Sequence, residues 1–257
     1  MIDRPEFQRY EAIYLSPHLD DVVLSCGGRM HRRAARGENV LAVTVFTGDV
    51  PDGPLSELAA TVLMHMGLSR EEASERRRQE DLAACELLGA EAIHWPYDDA
   101  TYRRDEAGEP SYTTARELFA GTPTAADTDL EDELVEAFGQ LPPADLIAAP
   151  LGVGGHVDHL LVRRAAERVF GQKVAFYEDF PYVRKLFALR RTVGDRRQWH
   201  SVPEPLDPSD LVAKVRAVAA YTSQVPPLFG DERRMERQIR RRAKRVGGER
   251  LWYRKLD

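Results

Sequence analysis

Hydrophobic residues along the chain form short apolar runs that alternate with longer stretches of helical periodicity. The runs are typical of buried strands and occupy residues 12–15, 40–46, 92–95, 146–149 and 174–177. Apolar residues that recur every three or four positions indicate amphipathic helices at residues 22–36, 58–66, 71–88, 130–138, 157–170 and 211–221. Because strands and helices alternate, we predict an α/β fold with a doubly wound, mostly parallel sheet.

Two stretches depart from this regular alternation. Periodicity is weak between residues 98 and 128, where Gly, Pro, Ser and Thr are scattered, so we expect an excursion from the sheet. The predicted helix 58–66 follows a Pro- and Gly-rich turn and is either a lid or a surface helix. A length of 257 residues fits one domain, and we predict a single domain over residues 1–257 with a basic segment at about 230–257.

The composition is that of an ordinary globular protein, with 43% hydrophobic and 30% charged residues. No apolar run approaches the roughly 20 residues that cross a bilayer, and the polar residues 1–4 are unlike the start of a signal peptide. We therefore expect a cytoplasmic protein without a membrane span. Cys26 and Cys85 form no CxxC pattern, which argues against a disulfide framework or a thiolate zinc site.

Charge is distributed unevenly along the chain. The formal net charge of −6 argues against nucleic acid as a partner, because such binding depends on a surplus of Lys and Arg. Residues 232–254 are nevertheless rich in arginine, and could attract an anionic substrate, a nucleic acid or an anionic membrane. Since Glu232, Glu236 and Glu249 interrupt the basic run, we favour a solvated face or a contact within a homo-oligomer.

Metal-capable side chains are concentrated in two clusters, each directly after a predicted strand. His18 and Asp21 follow the first strand, and His156 and His159 follow the fourth. Because ligands of doubly wound sheets bind at the carboxyl ends of the strands, we expect the two clusters to lie together. Two histidines and one carboxylate, with a position left for water, are a common zinc set in hydrolases. The candidate ligands are therefore His18, Asp21 and one of the two later histidines.

The remaining polar residues of the clusters suggest catalytic roles. Asp20 is the candidate general base, because a carboxylate beside the ligands can take a proton from the attacking water. His156 and His159 are one helical turn apart, so the one that does not hold the metal can stabilise the oxyanion or protonate the leaving amine. Asp158 could orient and charge His156. Either cluster alone is weak evidence, since Asp and His are common in loops and first helical turns.

Both clusters resemble signatures of the LmbE/PIG-L family of deacetylases. Residues 16–21, Ser-Pro-His-Leu-Asp-Asp, are similar to the family's His-Pro-Asp-Asp-Glu motif, and residues 156–159, His-Val-Asp-His, to its His-x-Asp-His motif. Segments 77–89, 97–103 and 177–182 are also similar to family segments, so the resemblance extends from about residue 12 to residue 225.

The resemblance implies a Rossmann-like fold and an enzyme that hydrolyses a linear amide. The reaction it implies is removal of the N-acetyl group from an amino sugar, typically a small GlcNAc-type conjugate, with release of acetate. It implies zinc, or another divalent ion such as Fe²⁺, held by His18, Asp21 and His159. It further implies Asp20 as the base and His156 as an electrostatic or acid partner.

Two residues depart from the family pattern. Leu19 stands where the motif has proline, and Val22 stands where it has glutamate. Neither is a predicted ligand, so we expect the metal site to be retained. Two other functions stay open: a zinc amidase of a bulkier thiol-conjugate amide, and a non-catalytic carbohydrate-binding or regulatory domain, which the Val22 departure favours.

Candidate substrate contacts lie near the ends of the second and third strands and on helix 71–88. They are Asp49, Arg77, Asp99 and Arg103, which could bind sugar hydroxyls or a phosphate. For each, a solvated or ion-paired surface position is the alternative, because charges on exposed helices are mostly of that kind. Asp99 is favoured by its position after a strand.

Overall fold

The computed structural model describes residues 5–124 and 127–255 of the 257-residue chain. Residues 1–4, which we expected not to begin a signal peptide, lie outside these ranges. The strands are β1 (Tyr10–Ser16), β2 (Val40–Thr44), β3 (Glu91–His94), β4 (Ala144–Pro150), β5 (Val174–Tyr177), β6 (Trp199–Glu204) and β7 (Glu249–Arg254). The helices are α1 (Asp21–Ala34), α2 (Glu57–Met66), α3 (Arg70–Leu88), α4 (Ala115–Leu118), α5 (Asp127–Gly139), α6 (Val157–Phe170), α7 (Ala188–Val193), α8 (Pro208–Ala219), α9 (Val225–Phe229) and α10 (Glu232–Val246).

The strands form one sheet in the order β3-β2-β1-β4-β5-β7-β6. Strands β1 to β5 are parallel, whereas β7 runs antiparallel to β5 and β6 antiparallel to β7. From the central pair β1 and β4 the chain winds outward in both directions, which is the doubly wound arrangement. The predicted fold class, a Rossmann-like, mostly parallel α/β sheet, is confirmed.

The parallel strands are covered by helices, which explains why they appear in the sequence as continuous apolar runs. Every residue of β2 and of β5 is buried. Helix α1 packs against α8 and α3, and α5 packs against α6. Burial of each large apolar side chain stabilises the fold by about 1.5–3 kcal/mol, so the sheet is a rigid support for the loops at its carboxyl edge.

The C-terminal segment contains a helix and a strand that the sequence did not predict. We expected an arginine-rich segment with a solvated or intersubunit face; the chain there forms α10, whose arginines are mostly exposed, and then β7, which pairs with the unpredicted strand β6. Met235, Ile239 and Ala243 recur every fourth residue and bury one face of α10. The surrounding arginines obscured this narrow apolar stripe. The single-domain organisation, the homo-oligomer and the cytoplasmic location stay predictions.

Residues 98–124 leave the sheet, as predicted. They form loops and the short helix α4, and one of them, Tyr112, has a buried side chain. Over the two described ranges, none of the helices combines the length and the apolar character that a membrane span requires.

Candidate active site

The two predicted clusters meet at the carboxyl ends of β1 and β4, the strands from which the sheet winds outward. The crossovers leave these strands in opposite directions, so a crevice opens between their ends. His18, Asp20 and Asp21 lie in the turn from β1 into α1, and His156 and His159 lie at the start of α6. All of these side chains are buried.

Asp20 has an unusual backbone conformation in the turn between β1 and α1. Its φ of 136° lies in a region that residues other than glycine rarely adopt. Ser16 stabilises this turn, because its Oγ donates to the His18 carbonyl at 2.7 Å and accepts from the Val22 amide at 3.1 Å. Backbone strain of this kind is concentrated at functional sites.

Three potential ligand atoms converge between the two strand ends. Asp21 Oδ2 lies 3.1 Å from His18 Nδ1 and 3.2 Å from His159 Nε2. The three donor atoms lie within 4.8 Å of one another. His159 Nε2 is buried without a hydrogen-bond partner, although it faces the Asp21 carboxylate. Two imidazole nitrogens and a carboxylate oxygen in this arrangement fit a divalent cation, and we call these residues the metal triad.

In each histidine of the metal triad, the ring nitrogen that faces away from Asp21 lies at hydrogen-bond distance from a buried carboxylate. His18 Nε2 lies 3.0 Å from Asp158 Oδ2, and His159 Nδ1 lies 2.7 Å from Asp179 Oδ1. A carboxylate that accepts the proton of the far nitrogen leaves a lone pair on the near nitrogen. Both near nitrogens are therefore presented as ligands toward the Asp21 carboxylate.

The charges within the metal triad depend strongly on one another. Burial lowers the pKa of His159, but the Asp21 and Asp179 carboxylates outweigh burial and raise this pKa to about 9. Burial also opposes ionisation of Asp21, yet His159 and His18 hold the pKa of Asp21 well below its usual range. A divalent cation can replace the histidine protons that neutralise this carboxylate, because metal binding releases protons from its ligands.

A second set of donor atoms, from His18, His156 and Asp158, also lies close enough together to hold an ion. It fits a cation less well because the Asp158 carboxylate already accepts three hydrogen bonds, one of them from an arginine. Asp158 accepts from the Ala100 amide at 2.9 Å, from Arg103 Nη1 at 2.9 Å and from His18 Nε2. The metal triad is therefore the better site.

His156 is held as a neutral imidazole with one free donor. Its Nδ1 accepts the backbone amide of Asp158 at 3.2 Å, so the ring proton is on Nε2. Burial and the nearby His18 lower the pKa of His156 to about 3. We expected the Asp158 carboxylate to orient His156, but it is the backbone amide of Asp158 that contacts this ring. His156 can therefore donate a hydrogen bond into the crevice.

Asp20 lies beside the metal triad without joining it. Burial and the charge of Asp21 raise the pKa of Asp20 to about 8, although Arg77 acts in the opposite direction. A carboxyl group with a pKa near neutrality can take up and return a proton, as a general base requires. A cation in the triad would favour the carboxylate form of Asp20.

The crevice widens into an open pocket with a volume of about 260 Å³. Its floor is polar, because it is formed by His156, Asp20 and residues of the metal triad, together with Arg77 and Asp99. Its outer wall is mostly apolar and comes from α2, from α9 and from the loop after β5, with the residues Val62, His65, Met66, Pro181, Tyr182, Gln224, Pro227 and Leu228. The helix predicted as a lid or a surface helix, α2, thus lines the pocket.

Two of the predicted substrate contacts, Arg77 and Asp99, line this pocket. Asp99 Oδ2 lies 3.7 Å from His18 Nε2. Arg77 Nη2 donates to the Leu19 carbonyl at 3.3 Å, and its Nε is buried without a partner. Both side chains are therefore within reach of a ligand on the pocket floor.

The other two predicted contacts, Arg103 and Asp49, do not line the pocket. Arg103 is buried between two carboxylates, with Nη1 2.9 Å from Asp158 and Nε 2.9 Å from Asp127. Its position supports Asp158, which in turn holds His18. Asp49 is exposed and pairs with Arg78 at 2.9 Å. A substrate contact for either residue stays a prediction.

Asp179 and Tyr182 are site residues that the sequence prediction missed. Asp179 accepts from the Val153 amide at 2.7 Å in addition to holding His159. Asp179 is the second residue after β5, the parallel neighbour of β4. The rule that ligands bind at the carboxyl ends of parallel strands could therefore have identified it. The Tyr182 ring stands edge-on to the His159 ring with 5.6 Å between centroids, and its position depends on a loop that no sequence pattern predicts.

The family model and the relatives that match this chain are all described as deacetylases. The family model "PIG-L: GlcNAc-PI de-N-acetylase" matches residues 13–170. The 2'-N-acetylparomamine deacetylase of Streptomyces fradiae is 36% identical over 86% of this chain and 76% of its own length. The enzyme of the same name from Niallia circulans is 30% identical over 86% of this chain and 82% of its own.

A solved structure supports the same assignment. The zinc-inhibited form of the teicoplanin deacetylase Orf2 has a TM-score of 0.80 and 27% identity, covering 97% of this chain and 99% of that one. Neither a thiol-conjugate amidase nor a non-catalytic domain is supported by these relatives. The predicted enzyme class, a hydrolytic N-deacetylase, is confirmed. The chain belongs to the PIG-L (LmbE) family.

Proposed function

We propose that the protein is a zinc-dependent hydrolase that removes the acetyl group from a GlcNAc-type amino-sugar conjugate and releases acetate. The observation that carries the proposal is the convergence of His18, Asp21 and His159, with a carboxylate behind each histidine. The names of the relatives support it, since they are deacetylases of N-acetylparomamine and of teicoplanin.

The metal triad would hold the divalent ion. Zinc suits a site of two imidazoles and one carboxylate. The related deacetylase described in a zinc-inhibited form is a protein on which zinc acts as an inhibitor, so the proposal rests on the donor set of this chain. Fe²⁺ would also suit these ligands, because nitrogen and oxygen donors do not strongly separate the two ions. When bound, the ion supplies Lewis-acid chemistry, which polarises the acetyl carbonyl and makes a nearby water more acidic.

Asp20 is the group that moves the proton in this proposal. The water oxygen forms a bond to the carbonyl carbon while the water proton passes to the Asp20 carboxylate. When the carbon–nitrogen bond breaks, the nitrogen takes up that proton, and the free amino sugar and acetic acid are formed. The acetic acid gives its remaining proton to solvent and is released as acetate. The raised pKa of Asp20, about 8, suits a group that must both accept and return a proton.

His156 stabilises the oxyanion in this proposal. Its Nε2 proton can be donated to the carbonyl oxygen as that oxygen gains charge. The alternative role, a protonated acid for the amine, fits less well, because burial and His18 lower the pKa of His156 to about 3. Asp158 positions both groups, with its carboxylate on His18 and its amide on His156.

Arg77 and Asp99 are the proposed sugar contacts on the pocket floor. Arg77 offers donors and Asp99 offers acceptors, a combination that suits sugar hydroxyls. The apolar wall above them suits the faces of the sugar rings or the group attached to the sugar.

Acetate release and metal content test the proposal together. Wild-type protein loaded with zinc should release acetate from N-acetylparomamine or from an N-acetylglucosamine glycoside, and removal of zinc by a chelator should abolish release reversibly. Zinc-loaded protein that releases no acetate from any substrate of this class would contradict the proposed function. A zinc stoichiometry unchanged in the His159→Ala variant would contradict the proposed ligands.

A further inference from the structure

Glu80 is a buried carboxylate on α3 that the proposed reaction does not use. Its side chain is 5% exposed. Four hydrogen-bond donors surround it: Thr222 Oγ1 at 2.5 Å, Ser223 Oγ at 2.5 Å, the Ser223 amide at 3.0 Å and Arg76 Nε at 3.2 Å. Both carboxylate oxygens are engaged, and hydrogen bonds to an ionised acceptor are stronger than neutral ones. Glu80 therefore fixes the segment that carries Thr222 and Ser223.

That segment leads directly into one wall of the pocket. Gln224 follows Ser223 and lines the pocket, and α9 adds Pro227 and Leu228. Gln224 Nε2 donates to Met66 Sδ at 3.1 Å, so the same segment also contacts the wall formed by α2. Helix α9 has only five residues, too few to be stable through its own hydrogen bonds. Its position must come from anchors outside it.

The neighbouring Asp81 extends the anchor to the sheet. Tyr221 OH donates to Asp81 Oδ1 at 2.6 Å. Asp81 Oδ2 accepts from Thr44 Oγ1 at 3.1 Å and lies 2.8 Å from His94 Nε2, at the ends of β2 and β3. Adjacent carboxylates on α3 thus connect residues 221–223 to the sheet that carries the chemistry.

We propose that Glu80 is a positioning residue that holds the α9 wall in place and so sets the affinity for the sugar conjugate. Its effect on substrate rests on the proposed function, whereas its effect on the wall does not. A residue that only stabilised the whole fold would change the fraction of active protein, and hence the apparent kcat, without changing KM.

The first test compares Glu80→Ala with Glu75→Ala. Glu75 lies on the same helix but its side chain is 62% exposed, so it is a matched control. With N-acetylparomamine and p-nitrophenyl N-acetylglucosaminide as probes, Glu80→Ala should raise KM on the order of 10-fold, equivalent to about 1.4 kcal/mol, with kcat nearly unchanged. Glu80→Gln keeps one acceptor oxygen for Thr222 and the Ser223 amide, and should restore most of the affinity. An unchanged KM, or a fall in kcat alone, overturns the proposal.

The second test needs no activity. Hydrogen exchange should be faster in residues 222–229 of Glu80→Ala, on the order of 10-fold, while exchange in the parallel strands stays at the wild-type rate. Ser223→Ala, which removes a donor from the other side of the contact, should show a smaller effect in the same residues. Unchanged exchange in residues 222–229, or equal acceleration across the sheet, overturns the proposal. If wild-type protein releases no acetate from any substrate of this class, the proposed function fails and the exchange result alone decides the role of Glu80.

Discussion

Replacing Asp179 by asparagine perturbs the metal triad without removing a ligand. Both oxygens of Asp179 accept hydrogen bonds at 2.7 Å, one from His159 Nδ1 and one from the Val153 amide. Asparagine has nearly the same shape but only one acceptor oxygen, so one of these donors must face an NH₂ group. His159 then loses the negative partner that keeps its proton on Nδ1 and leaves Nε2 free for metal.

The expected effect is a loss of metal affinity. Removing a partner behind a metal-binding histidine reduces affinity by about 10- to 100-fold, which corresponds to about 1.4–2.8 kcal/mol. A competition titration between the protein and a fluorescent zinc chelator at fixed pH measures this change. Asp145→Asn is the control, because Asp145 is 57% exposed at the start of β4 and pairs with Arg9. If the zinc affinity of Asp179→Asn stays within about threefold of wild type, a change in binding free energy of less than about 0.7 kcal/mol, the assigned role of Asp179 is refuted.

Three further outcomes follow from the site geometry. Asp20→Asn should retain zinc but lose on the order of 100-fold or more in kcat, the scale of general-base catalysis; full activity in acetate release would remove Asp20 from the mechanism. His156→Ala should lower kcat by about 100- to 1,000-fold, as for loss of one oxyanion donor, with zinc stoichiometry by atomic absorption unchanged. Zinc at about 100 times its Kd should stabilise the folded protein by about 2.7 kcal/mol; equal melting temperatures with zinc and with chelator would contradict binding to the folded state.

The sequence predicted that the two clusters lie together, because topology alone determines their position. His18 and Asp21 follow one parallel strand and His159 follows its neighbour, so the alternation of elements brings them together whatever the side-chain details. Asp179 follows the same rule but was missed as a site residue, because segment 177–182 was considered only for its similarity to a family segment. Strands β1, β2 and β5 were predictable for a related reason, since burial on both faces makes each an apolar run.

Other features depend on tertiary contacts that spacing does not encode. The carboxylate of Asp158 contacts His18 rather than His156, and this choice depends on Arg103 and the Ala100 amide approaching from another loop. The segment that leads into α9 is similar, because Ser223 donates two hydrogen bonds to Glu80, a residue 143 positions away in sequence.

The antiparallel strands β6 and β7 carry alternating polar residues and resemble loop sequence. In α10, the arginines hide a buried stripe of Met235, Ile239 and Ala243. Periodicity therefore predicted the five parallel strands better than the antiparallel pair β6 and β7.

The metal triad is the central claim, and anomalous diffraction from crystals grown with zinc tests it most directly. Data collected on both sides of the zinc absorption edge should give an anomalous peak bounded by His18 Nδ1, Asp21 Oδ2 and His159 Nε2, with His18 Nε2 still on Asp158. A principal peak bound instead by His156 and Asp158, or no peak in the crevice between β1 and β4, would contradict the account.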